Sequence, residues 1–335
     1  MLLIGLDPSF AEHDPGPGHP ERPARLDAAA AGVASAGIDD ALVALAVRPA
    51  SRAQITAVHD PEMVEHLVAA SAAGGAAFDA DTRSSAGSWE AARRAAGAGI
   101  AAADELAAGR AEAAFLALRP PGHHARPTTP MGFCLLNNVA ITAEELTSRG
   151  ERVAIVDIDA HHGNGTQEIF FARPDVLYAS LHQWPFYPGT GAADEVGAGA
   201  GQGTTCNVPL PAGATGDVYL HAFERVLLPV IEHFAPTWML VSLGFDAHRD
   251  DPLTDLGLSA ADFALLVERL VALVPTGRRL AFLEGGYDLR ALRDSVAATL
   301  PTLLGEPGAA AELPTSGGPG TRSVDAVARR WYRER

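Results

Sequence analysis

Residues 153–167 read VAIVDIDAHHGNGTQ, an apolar, β-branched run that ends in three chemically active side chains at every second position. On a strand, residues i, i+2 and i+4 share one face, so Asp157, Asp159 and His161 converge at its C-terminal tip. Gly163 and Gly165 then break the strand. In an open α/β sheet that tip is where ligands bind. Two carboxylates and an imidazole form a hard donor set for a divalent metal, with zinc the first candidate. Taken alone, the segment also reads as an acidic strand end whose histidine caps a turn.

The design recurs. FLALRPPGHH at 115–124 ends in the pair His123-His124, TWMLVSLGFDAHRDDP at 237–252 carries Asp246 past an apolar run, and LAFLEGGY at 280–287 ends in Tyr287. Strands are expected at Leu2 to Leu6, Ala114 to Leu118, Val153 to Ile158, Val176 to Leu181, Trp238 to Leu243 and Leu280 to Leu283. Helical patterns lie at Pro61 to Ala73, Ser88 to Ala108, Asn138 to Arg149, Asp217 to His233 and Ala260 to Val274. Such alternation predicts an α/β fold: a single domain with a mostly parallel central sheet flanked by helices, and an active site at the C-terminal strand ends.

The 335 residues suffice for one large domain, placed at 1–304, followed by a linker and short helix or tail at 305–335. The 25 basic residues are all arginine, and the net charge of −16 argues against a nucleic-acid partner. It suits a cationic substrate such as a lysine-bearing peptide or a polyamine, or simply acidic solubility. No apolar run approaches membrane-spanning length, and MLLIGL reads as the first strand rather than a leader, so no membrane partner is expected. Two cysteines, Cys134 and Cys206, point to a reducing cytoplasm. Gly-rich 191–203 reads as a loop and 305–320 as a flexible linker. Residues 323–335 are expected as a short basic helix carrying Trp331 and Tyr332. It would dock on the body or on a second copy in a homo-oligomer; a frayed tail is the alternative.

Seven motifs in order now carry a family resemblance: GHPERP at 18–23, RPPGHHA at 119–125, GFCLLNN at 132–138, DIDAHHGNG at 157–165, SLHQWPFYPGTG at 180–191, GFDAHRDDPL at 244–253 and EGGY at 284–287. Together they resemble the zinc-dependent histone deacetylase superfamily. Asn164 and the EGGY form are similar to its class II branch and bacterial relatives, which include acetylpolyamine amidohydrolases. The resemblance implies an amidohydrolase acting on linear amide C–N bonds, with one zinc per chain on Asp159, His161 and Asp246. His123 and His124 would form the proton-transfer dyad, with Asp157 partnering the first and Asn164 the second. A carboxylate partner favours imidazolium and an amide leaves the ring closer to neutral, so His124 is the expected base. Tyr287 would donate to the oxyanion.

The resemblance further implies a substrate channel built by Gly132, Phe133 and Tyr187, with Leu253 at its gatekeeper position and Asp81 at the rim. Asp157, Ser180 and Leu181 resemble a structural potassium site. His13, His19 and Glu21 would brace the site, and Cys134 reads as a small buried hydrophobe. Acetyl-lysine is the expected substrate because Leu253 offers no charge to a polyamine; small acetylated amines are the alternative. An arginase-like ureohydrolase would need carboxylates for a second metal where Gly163 and Gly244 stand.

Overall fold

The computed structural model describes residues 1–333, with the side chains of Tyr332 and Arg333 outside that description. Eight strands form one sheet: β1 (Leu2–Gly5), β2 (Leu42–Ala44), β3 (Ala113–Leu116), β4 (Val153–Asp157), β5 (Val176–Gln183), β6 (Thr205–Leu210), β7 (Trp238–Leu243) and β8 (Arg279–Leu283). Their order is β2-β1-β3-β8-β7-β4-β5-β6, and every pairing is parallel.

The helices are α1 (Ala24–Ser35), α2 (Arg52–Thr56), α3 (Pro61–Ala72), α4 (Ser88–Ala107), α5 (Asn138–Ser148), α6 (Asn164–Phe170), α7 (Gly216–Ala222), α8 (Leu228–Phe234), α9 (Ala260–Val271), α10 (Leu289–Leu303) and α11 (Thr321–Arg333). They cover both sheet faces, which is why the strands are continuous apolar runs. Alternate residues of β4 serve the two cores: Ala154 and Val156 pack into one, Val153 and Ile155 into the other. No described helix is long and apolar enough to cross a membrane.

Register positions the chemistry. Asp157 on β4 lies level with Ser180 on β5 and Ser242 on β7, and Ser242 lies level with Phe282 on β8. The residues just past these points therefore emerge together at one end of the sheet.

Several elements differ from the sequence expectation. β2 has three residues and little burial, and β6 carries Asn207 and Pro209, so neither shows an apolar strand rhythm. α1 and α10 are additional helices packed against each other. The single helix expected at 217–233 is α7, a π-helical turn at Phe223–Leu227, and α8. The segment expected as a linker is sewn to the body: Glu312 accepts from the Ala260 amide, and Thr315 donates to Asp262. α11 lies against β6 and α7, with Val324, Val327 and Trp331 buried; Tyr332's side chain lies outside the described residues.

Candidate active site

Four strands deliver the site. A Pro-Pro-Gly turn after β3 presents His123 and His124, β4 runs into Asp159 and His161, β7 into Asp246, and β8 into Glu284 and Tyr287. They meet at a cavity of about 240 Å³ whose lining includes both tandem histidines, His161, Phe133, Leu253 and Tyr287.

At its floor, His161 Nδ1 lies 3.1 Å from Asp159 Oδ1 and 3.0 Å from Asp246 Oδ2. One ligand atom from each residue falls within 4.8 Å of the others. Backbone amides orient the carboxylates: Ala160 and Gly285 donate to Asp246 and Asp159, each at 2.8 Å. Burial disfavours a charged His161 ring, but Asp246 and Asp159 outweigh it and raise its pKa to about 10. Burial would likewise raise Asp159, yet His123 and His161 hold it below the ordinary carboxylate range. Asp246 is raised, by burial and then by Asp159. Anionic density is thus concentrated where a hard divalent cation fits: two buried carboxylates, an imidazole and backbone donors on the outer oxygens.

Two glycines beside the cluster are tightly enclosed. A Cβ at Gly244 would run into the Asp159 carboxylate, and one at Gly163 into that of Asp157. A second metal's side-chain ligands at these positions are therefore excluded sterically as well as chemically.

The tandem rings lie 4.0 Å apart. His123 Nδ1 is 3.0 Å from Asp157 Oδ2, and His124 Nδ1 is 2.8 Å from Asn164 Oδ1. Burial would lower both rings. Asp157 and Asp159 reverse that for His123 and raise it to about 10, whereas burial and the neighbouring His123 and His161 keep His124 well below an ordinary histidine. The surroundings of His123 thus favour its charged form, and those of His124 its neutral form. With Nδ1–H donated to Asn164, the basic nitrogen of His124 is Nε2.

Above them stand the walls. Phe133 meets Tyr287 edge-on at 5.8 Å, and Tyr187 meets His124 edge-on at 5.2 Å. Phe133 has φ 66°, left-handed backbone rare for a bulky residue, following Gly132 at φ 57°. Asp81 lines the same cavity, and its carbonyl accepts from His19. Burial above all pushes the Tyr287 hydroxyl well above its ordinary value, so it remains a donor. Ser180 and Leu181 sit behind the floor beside Asp157; the Ser180 hydroxyl bonds His182 Nδ1 at 2.8 Å.

Sequence reasoning overlooked several supports. Glu284 accepts from the amides of Gly122 and His123 at 2.7 and 3.2 Å, tying the histidine turn to β8. Burial is the main cause of its pKa near 7. Arg25 donates to the carbonyls of Glu284 and Gly286 and lies 5.0 Å over the Tyr287 ring. Glu21 and His13, expected from the sequence to brace the site, pair with Arg25 and Arg119 and with Ser88 respectively. Phe186 stacks on His161 at 5.5 Å; its place beside Tyr187 in an aromatic, Pro-rich loop was the available signal. Cys134 is buried and its thiol is pushed up, first by burial.

A family profile described as histone deacetylase domain matches residues 19–303. The chain is 42% identical to Histone deacetylase 15 of Arabidopsis thaliana, over 92% of this chain and 57% of that protein. It is 42% identical to a probable deacetylase of Archaeoglobus fulgidus, over 84% and 79%, and 42% identical to a histone deacetylase-like amidohydrolase of Pseudomonas aeruginosa, over 71% and 64%. The crystal structure of the HDA15 HD domain superposes with a TM-score of 0.91 at 38% identity, covering 99% of this chain and 94% of that one.

Proposed function

Because the chain belongs to the histone deacetylase family, we propose that it is a zinc-dependent amidohydrolase that removes acetyl groups from acetyl-lysine side chains. One observation carries this reading: a two-carboxylate, one-imidazole cluster lies at the floor of a cavity bordered by a histidine pair, one ring on a carboxylate and one on an amide, and by a buried phenol. Asp159, His161 and Asp246 would hold one zinc. When bound, zinc supplies Lewis acidity, lowering the pKa of water and polarising the acyl oxygen.

The chain's own residues do the rest. His124 Nε2 accepts a proton as water attacks, then returns it to the departing amine, so the proton balance closes on one ring. His123 keeps its proton and offers positive charge to the developing oxyanion, and the Tyr287 hydroxyl donates to the same oxygen. Phe133 and Tyr187 grip the lysine methylenes, each worth about 0.8 kcal/mol when buried. Leu253 gives the wall an apolar surface, where the internal ammonium of a polyamine would lose water without gaining a partner. Asp157, Ser180 and Leu181, adjacent across β4 and β5, would hold a potassium ion that stiffens the floor.

The test combines metal and turnover. Purified protein should bind about one zinc per chain, and Asp246→Ala should lose metal and activity together. Acetyl-lysine peptide should exceed acetylspermidine in kcat/KM, and Leu253→Glu should move the ratio toward the polyamine. Two manganese ions in the pocket would refute the metal assignment; a wild type that prefers acetylspermidine would refute the substrate.

A further inference from the structure

The C-terminal segment reaches the active site indirectly, through one carboxylate. Glu312 Oε2 accepts from His248 Nε2 and from the Ala260 amide, both at 2.9 Å, and its Oε1 accepts from Arg249 at 2.5 Å. The segment that carries it is held on both sides. The Leu313 carbonyl accepts from Ser259 at 3.0 Å, and the Thr315 hydroxyl donates to Asp262 at 2.7 Å and accepts from the Gly216 amide at 2.8 Å. Residues 312–315 thus form a strap across the N-termini of α9 and α7.

What the strap grips is the loop that leaves β7. His248 is buried at 2% exposure, two residues beyond Asp246. The loop closes on itself through Arg249 N to Leu258 O at 2.8 Å and Asp251 N to His248 O at 2.9 Å. Asp251 then binds the site: its carboxylate takes the Leu253 amide at 2.9 Å and the Tyr287 amide at 2.7 Å. An unbroken series of hydrogen bonds runs from Glu312 through His248 and Asp251 to the backbone of the channel wall and of the phenol. Three donors on one carboxylate, two from charged or chargeable side chains, form a strong anchor.

We infer that Glu312 is a positioning residue, through which the C-terminal strap fixes the 246–253 loop and so sets how tightly the channel holds its acyl-amine substrate. This rests on the reading that Leu253 and Tyr287 meet that substrate. Glu312 touches neither; Tyr287 keeps a separate hold through Arg25, whereas the Leu253 wall depends on the loop, so losing Glu312 should loosen binding more than chemistry.

The test compares full-length, zinc-loaded Glu312→Leu and Glu312→Gln with the wild type. For Glu312→Leu, KM for an acetyl-lysine peptide should rise about tenfold while kcat stays within about threefold. Zinc content should be unchanged, and amide hydrogen exchange should accelerate across 247–255 but not across Trp238–Leu243. Glu312→Gln, which keeps an acceptor oxygen, should fall between. Unchanged KM with unchanged exchange in 247–255 would overturn the inference, as would a lower Tm with KM intact, which marks a purely structural contact. If the wild type hydrolyses no acyl amide, the functional proposal fails by itself, and the exchange comparison still decides whether Glu312 fixes the loop.

Discussion

Replacing Gly132 with alanine should inactivate the enzyme while leaving it folded. Gly132 has φ 57°, and a Cβ there would lie 2.7 Å from His124 Cγ and 2.9 Å from His124 Cβ. The left-handed backbone costs an alanine about 1–2 kcal/mol. Carbon atoms prefer roughly 3.5–4.0 Å, so the imidazole must retreat by about 1 Å. Such a displacement of a reacting group costs about 10²-fold in turnover. Stability should fall far less, with Tm down by roughly 2–3 °C. Steady-state turnover of an acetyl-lysine peptide and a thermal melt of the same preparation give both numbers. A kcat within about twofold of wild type would refute the steric argument. A loss of activity matched by a loss of folded protein would refute the claim that geometry at His124 is the cause.

Tyr287→Phe keeps the ring against Phe133 and removes only the donor, so kcat should drop about 10²–10³-fold with KM little changed. His124→Ala should be at least as damaging as His123→Ala in single-turnover assays, since the neutral ring takes the proton; the reverse order would reassign the base. Metal removal should make stability fall as pH rises. In the chelator-treated protein His161 and His123 have pKa values near 10 against 6.5 in an unfolded chain, so their contribution is complete below 6.5 and lost through about 10. Glu284, near 7 against 4.5, acts with the same sign at lower pH. Melts from pH 7 to 10, above the range where the lowered His124 acts with the opposite sign, measure this with and without zinc, and a flat metal-free curve would contradict it.

The central strands were legible because each is an uninterrupted apolar run, as burial on both faces demands, and ends in residues no core would tolerate. The floor of the site was legible because Asp157, Asp159 and His161 share one strand. Its supports were not. Glu284 looks like one more residue of a Gly-rich turn until the fold brings Gly122 and His123, far away in sequence, beneath it. The 305–320 segment has the composition of a linker, yet short polar bonds to Asp262 and Ala260 hold it, and hydropathy does not register those. β6 hid behind Asn207, whose side chain turns to Gln167 at 2.7 Å rather than to an apolar layer.

The strand order also governs how such a chain must be born. β8 lies between β3 and β7, yet it is the last strand in the sequence. Until residue 283 has left the ribosome, nothing joins β2-β1-β3 to β7-β4-β5-β6, and whatever of these halves has formed ends in an apolar edge with unpaired amides. Those edges are the surfaces on which partly made chains stick to one another. Insertion of the final strand between them joins distant segments at a large loop-closure cost, so assembly is slow and cooperative. It is also the step that brings Tyr287 and the Glu284 brace to the histidines. A ribosome-bound chain stopped before β8 should therefore recruit chaperones and show no turnover, and extension until α10 has also emerged should end both conditions together.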